Sequence, residues 1–122
     1  MGKHVLLVED EPNIIEAIRF ILTRDGWRVS THSDGVDAAA VIRAAAPDVV
    51  VLDVMLPGRS GFEILQELRA TEATRALPVL MLTARSQARD REMAERYGAS
   101  RFLTKPFANT EIVAALREMA GL

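Results

Sequence analysis

Apolar runs of strand length alternate along the chain with stretches in which apolar residues recur at helical spacing, the pattern of strands joined by crossover helices. Three runs, His4-Val-Leu-Leu-Val8, Val49-Val-Val-Leu52 and Val79-Leu-Met-Leu82, are almost continuously apolar rather than alternating. That predicts parallel strands covered on both faces, at the middle of a sheet. Arg28-Val-Ser-Thr-His32 alternates and is more polar, and Arg101-Phe-Leu-Thr104 is short, so both suit sheet edges. Between the strands, Ile14, Ile15, Ile18, Ile21 and Leu22 share one helical face, with Pro12 suited to the first turn and Asp25-Gly26 to the end. Ile112, Val113, Leu116, Met119 and Ala120 repeat that spacing behind Asn109, a good capping residue. Asp34-Gly35 is expected to open an alanine-rich helix ending near Ala45, and Ser60-Gly61 one carrying Phe62, Leu65 and Leu68. A polar helix is expected from about Ser86 to Tyr97. This fourth helix has the weakest apolar face, which marks it as the loosest element or a partner surface. Right-handed crossovers then give an α/β fold: an open, doubly wound, five-stranded parallel sheet with helices on both faces.

Composition removes several function classes. The 122 residues are 49% apolar and 26% charged, which fits one domain, 1–122, with a real core. A formal charge of −2 offers no broad basic field for nucleic acid or an anionic membrane surface. The absence of cysteine rules out disulfides, thiol catalysis and cysteine-ligated metal, and fits a reducing compartment. The first apolar run is too short, and too soon followed by charge, for a signal peptide or a spanning helix. The expectation is a soluble, cytoplasmic chain with no membrane and no direct nucleic-acid contact.

Parallel strands deliver the residues just past their carboxyl ends to one edge of the sheet, where ligands bind in such folds. Glu9-Asp10 follows the first strand, Asp53 ends the third, Thr83 follows the fourth and Lys105 follows the fifth. Neighbouring carboxylates repel, and desolvation makes their joint ionisation worse unless cations are supplied. An all-oxygen donor set without His or Cys suits a hard cation, and a small open site suits Mg²⁺ better than a calcium cage. Mg²⁺ and the Lys105 ammonium would together balance Glu9, Asp10 and Asp53. A carboxylate beside such a cation pair is placed to accept a phosphoryl group, because the cations offset charge on the transferred oxygens.

Blander readings exist for each residue taken singly. Asp53 could be a strand-to-loop cap, Glu9-Asp10-Glu11 an acidic lead-in to the helix at Pro12, Thr83 a strand-end residue and Lys105 a surface lysine. Phe102 reads first as a core side chain. His4 and His32 lack companions at ligand spacing and read as structural. Gly58 and Gly61 permit a turn rather than cradle phosphate, and Met55, Met81, Met93 and Met119 read as gap-filling core. The convergence of four strand ends outweighs these separate explanations.

The ordered set LLVEDEPN, VVLDVMLPGRSG, MLTAR and FLTKPF, spread over essentially the whole chain, resembles the receiver domain of bacterial two-component response regulators, the CheY-like fold. That resemblance implies a flavodoxin-like strand order 2-1-3-4-5 with five helices. It implies that Asp53 accepts phosphate from a sensor histidine kinase or phosphotransfer protein. Asp10, Asp53, the main-chain carbonyl of Met55 and, through water, Glu9 would hold Mg²⁺. Lys105 would bind one phosphoryl oxygen and Thr83 another, Phe102 would be the rotating aromatic of the switch, and Lys105-Pro106 would be cis. Output would pass to a downstream protein through the face of the fourth helix, fifth strand and fifth helix. The chain would not be an enzyme beyond catalysing its own aspartyl phosphorylation and dephosphorylation. Met55 and Arg85 would flank the path of attacking water and slow the loss of phosphate.

Two departures from the family pattern bear on assembly. Arg91 and Glu111 preserve one charged pair of the dimerising regulators, but Gly98-Ala-Ser-Arg101 replaces an acidic turn and Ala115 stands where those relatives carry arginine. A monomer or weak dimer follows. Whether the chain acts alone or belongs to a longer regulator stays open. The rivals are a Mg²⁺-dependent phosphohydrolase with an aspartyl intermediate and a flavodoxin-like binding module. The first would want a second acid where Met55 stands, and the second would set a flavin phosphate against acidic strand ends.

Overall fold

The computed structural model describes residues 2–84 and 88–122. Its elements run β1 (His4–Val8), α1 (Pro12–Arg24), β2 (Arg28–His32), α2 (Ala38–Ala45), β3 (Val49–Asp53), α3 (Gly61–Ala70), β4 (Val79–Thr83), α4 (Ala88–Arg96), β5 (Arg101–Thr104) and α5 (Asn109–Met119), with a short 3-10 turn at Glu72–Thr74. The strands form one parallel sheet in the order β2-β1-β3-β4-β5. The expected strand spans, the polar edges and the doubly wound order are all present.

The continuously apolar strands are explained by two cores. Leu6, Val8, Val50, Leu52, Val79 and Met81 face α2 and α3, meeting Ile42, Ile64, Leu65 and Leu68. The alternate residues Val5, Leu7, Val49, Val51, Leu80 and Leu82 face α1 and α5, meeting Ile18, Leu22, Ile112 and Leu116. Each large side chain fully withdrawn from water contributes about 1.5–3 kcal/mol, so both faces of the central strands anchor the sheet. Met81 is buried as expected, and Met93 and Met119 pack at the edges of the cores.

Helix starts differ from the sequence expectation at two places, each for a local reason. α2 begins at Ala38, not at Asp34-Gly35. The Asp34 carboxylate accepts the Val36 N–H (2.8 Å) in a tight turn, Gly35 N–H donates to the Pro57 carbonyl, and the Asp37 carboxylate pairs with His32 at 2.7 Å instead of capping. Loop-to-loop bonding therefore consumes the groups that would have started the helix. At α5, Ala108 rather than Asn109 is the capping position and Asn109 is already helical. Ala108 has no side-chain oxygen to give, so only one half of a capping box forms: the Glu111 carboxylate accepts the Ala108 N–H at 2.7 Å. At α3, Ser60 and Glu63 make the full reciprocal box. The expected start of the fourth helix at Ser86 lies outside the described residues.

Candidate functional site

The register of the sheet brings the strand ends together. One step beyond the paired strands, Glu9 N–H donates to the His32 carbonyl (3.0 Å), Val54 N–H to Leu82 (2.9 Å) and Lys105 N–H to Thr83 (2.7 Å). These bonds extend the ladder past the strands and fix the chain where β1, β3 and β5 hand over to their loops. Gly61 supports the same point from behind. A Cβ there would lie 2.2 Å from the Asp53 carbonyl oxygen, so only glycine lets the start of α3 come this close. Gly58 supplies the positive φ of the turn between them.

Three adjacent acids, equivalent in sequence, have different environments. Glu9 is wholly buried. Its Oε2 accepts the Asp10 and Glu11 N–H groups at the entry to α1 (3.1 and 3.2 Å), and its Oε1 faces the Lys105 Nζ at 2.9 Å. Asp10 and Glu11 are both exposed. Asp53 is buried, with Oδ2 3.3 Å from Lys105 Nζ and Oδ1 accepting the Met55 N–H at 3.4 Å. Carboxylate oxygens of Glu9, Asp10 and Asp53 all lie within 4.8 Å of one another. Lys105 joins the cis Lys105–Pro106 peptide.

Electrostatics follow from this crowding. Burial, and then the neighbouring Glu9 charge, push the Asp53 carboxyl up to about 7 against the opposing pull of Lys105. For Lys105, burial works to lower the ammonium's pKa, but pairing with Glu9 and Asp53 outweighs it and the net direction is upward. Three carboxyls and one ammonium leave excess negative charge, and the buried Glu9 Oε1 faces that ammonium without an aligned hydrogen bond. An oxygen-only donor set with one exposed member and a charge deficit fits a small hard cation. Glu9, Asp10 and Asp53 are the side chains that could hold it.

The remaining expected residues fall around this centre. Thr83 is buried at the end of β4, and its hydroxyl lies 3.3 Å from Asp90 Oδ2 on α4. Phe102 is half-buried on β5 with the Arg91 guanidinium 5.8 Å above its ring. Met55 is not core: it is 64% exposed, in the loop that follows β3. Arg85, expected beside it, lies outside the described residues. Ala115 is buried, while Arg101 pairs within the chain with Glu118. His4 and His32 bond Ser30 and Asp37, structural partners as expected.

Asp90 was not singled out from the sequence, since an acid in a polar helix is unremarkable. Its signal was its position in the first turn after a strand ending in Thr83. No helix among the described residues is long and apolar enough to cross a membrane.

Comparisons with known proteins agree on one family. The chain is 44% identical over 115 residues to the probable transcriptional regulatory protein TcrX of Mycobacterium tuberculosis, covering 94% of this chain and 48% of that protein. It thus spans about half the length of that curated relative. Among solved structures, a putative response regulator from Chloroflexus aurantiacus superposes with a TM-score of 0.94 at 29% identity, with both chains fully covered. The receiver domain of the sensor histidine kinase PA1611 from Pseudomonas aeruginosa, with a magnesium ion coordinated in its active-site cleft, gives 0.91 at 33% identity, again over both whole chains. The family model of the response regulator receiver domain matches residues 5–117, taking in every strand end described above. By fold, strand-end chemistry and sequence alike, the chain belongs to the response regulator receiver domains of two-component systems.

Proposed function

We propose that this receiver takes a phosphoryl group onto Asp53 in a Mg²⁺-dependent reaction and thereby switches its partner-binding face. The observation that carries the reading is the buried Asp53 carboxylate 3.3 Å from the Lys105 ammonium, inside a cluster of three acids drawn from two strand ends. An Asp53 oxygen attacks phosphorus in line as the bond to the donor breaks, and the donor keeps that electron pair. Acetyl phosphate leaves as acetate, whereas a phosphohistidine leaves as imidazole after taking up one proton. Lys105 meets the charge on the transferred oxygens, and the Thr83 hydroxyl donates to one of them after transfer. Asp10, Asp53, the main-chain carbonyl of Met55 and, through water, Glu9 would hold the metal, which when bound supplies charge neutralisation at the phosphoryl oxygens.

The natural donor on this reading is a sensor histidine kinase or a phosphotransfer protein. Output runs to a protein partner through α4, β5 and α5, as a monomer or weak dimer in the cytoplasm. The chain turns over no separate substrate and catalyses only its own phosphorylation and dephosphorylation. Intact-mass measurement after incubation with Mg²⁺ and acetyl phosphate tests the central claim. Wild type should gain one phosphoryl group and Asp53→Ala none. Gain by the variant, or continuous release of phosphate from simple phosphate esters by the wild type, would refute it.

A further inference from the structure

Thr83 and Phe102 are both gripped by consecutive residues of α4, and neither contact serves the acid cluster. Asp90 Oδ2 stands 3.3 Å from the Thr83 hydroxyl, and Arg91 sits 5.8 Å over the Phe102 ring. We propose that Asp90 is a positioning residue that holds the Thr83 hydroxyl toward α4 in the resting state, so that phosphoryl capture by Thr83 must break this bond. The inference rests on the receiver reading and adds to it a residue that sets the resting balance.

The physical ground is the inventory of a hydroxyl. Thr83 Oγ1 carries one proton, so it cannot donate to Asp90 and to an oxygen on Asp53 at once. Its χ1 is stiff because Thr is β-branched, so swinging the hydroxyl between the two acceptors is a discrete rotamer change. The acceptor is a carboxylate, and the pair is partly withdrawn from water, which makes the resting bond worth more than a surface contact. Asp90 is also well placed to persist, since an acid in the first turn of a helix is favoured by the helix dipole. Beside it, Arg91 covers the ring of Phe102, so one helical turn holds the hydroxyl and the aromatic together.

Removing Asp90 should therefore improve capture of a phosphoryl mimic, whereas simple damage to α4 would weaken it. The experiment is a ¹⁹F NMR titration with beryllofluoride and Mg²⁺ of wild type, Asp90→Ala, Asp90→Asn, Thr83→Val and the Asp90→Ala/Thr83→Val double variant. Loss of one modest charge-assisted bond predicts about fivefold tighter binding for Asp90→Ala. Asp90→Asn keeps an acceptor oxygen and should stay within about twofold of wild type. In the Thr83→Val background, Asp90→Ala should change nothing, because the coupling runs through the hydroxyl.

A second readout needs no metal. In ¹³C–¹H spectra of the metal-free protein, the Thr83 methyl of Asp90→Ala should move toward its position in beryllofluoride-saturated wild type. Unchanged or weaker binding by Asp90→Ala, an equal gain in the Thr83→Val background, or an unmoved methyl would overturn the proposal while leaving the receiver reading intact. A wild type that binds no beryllofluoride and takes no phosphoryl group from acetyl phosphate would overturn both.

Discussion

Replacing Asp53 by asparagine should stabilise the metal-free protein, although it removes the residue at the centre of the site. The substitution keeps shape and takes away one of three crowded negative charges. Burial and the Glu9 charge raise the Asp53 carboxyl to about 7, from an ordinary value near 4. A group raised in the folded state contributes stability that is fully present below about pH 4 and is lost as pH rises through about 7. Above that the folded wild type holds an ionised Asp53 at a cost of about 4 kcal/mol by the full conversion. Asp53 is only 2% exposed, but it shares its cluster with the exposed Asp10, so solvent screening brings the expectation to about 2 kcal/mol. Asparagine carries no such cost.

The assay is urea unfolding in EDTA, followed by the fluorescence of Trp27, the sole tryptophan, which is 3% exposed. Asp53→Asn should exceed wild type by about 2 kcal/mol near pH 8, with the advantage shrinking toward pH 4.5. His4, lowered by burial, by Arg28 and against the pull of Asp48, pulls wild-type stability the opposite way with pH, but it is common to both proteins and cancels in the difference. Millimolar Mg²⁺ should narrow or reverse the gap, since wild type offers the ion one more carboxylate. An Asp53→Asn protein no more stable than wild type at pH 8, or equally favoured at both pH values, would refute the account of the site as an assembly of unbalanced charge.

Lys105→Met should cost about 2–4 kcal/mol near pH 8, because it strands the buried Glu9 without its cation; the same urea assay reads the loss. Gly61→Ala places a methyl 2.2 Å from the Asp53 carbonyl oxygen, so it should lose about 1–3 kcal/mol and, by calorimetric titration, weaken Mg²⁺ binding. Ala46, at the end of α2, has a left-handed backbone with φ of 46°, and Ala46→Gly should raise stability by about 0.5–1 kcal/mol in the same denaturation assay, with Mg²⁺ binding unchanged.

What could be read from the chain was whatever depends on a residue's own type and its near neighbours. β1, β3 and β4 were legible because burial on both faces leaves no polar alternation to confuse with a half-exposed strand. The acids and Lys105 were legible because parallel strands force their ends to one edge. The start of α2 was not, since Gly35 bonds to Pro57 on a distant loop, which no local rule names, and the Asp37 carboxylate turns back to His32 instead of capping. Met55 looked like core by type, yet its loop leaves it in solvent. The sequence also could not rank Glu9, Asp10 and Glu11. Only packing sends Glu9 to the interior and, of the two exposed acids, brings Asp10 into the cluster with Asp53.

Under the proposed function, the same contrast in packing points to where a phosphoryl signal would act. α3 buries Phe62, Ile64, Leu65 and Leu68 against the sheet, whereas α4 buries Ala94 alone among the described residues. At about 1.5–3 kcal/mol for each large apolar side chain, α3 is held far more firmly than α4, which has one buried methyl and the partly buried Met93. Contacts such as Asp90 with Thr83 and Arg91 with Phe102 are then a large share of what fixes the resting position of α4, at about 1 kcal/mol each. On the proposed reading, a phosphoryl group on Asp53 that recruited the Thr83 hydroxyl would remove one such hold and gain a charge-assisted bond in exchange. A swing of a few kcal/mol suffices to invert a two-state population of this kind, and α4 is the described helix with so little buried surface that a swing of that size can move it.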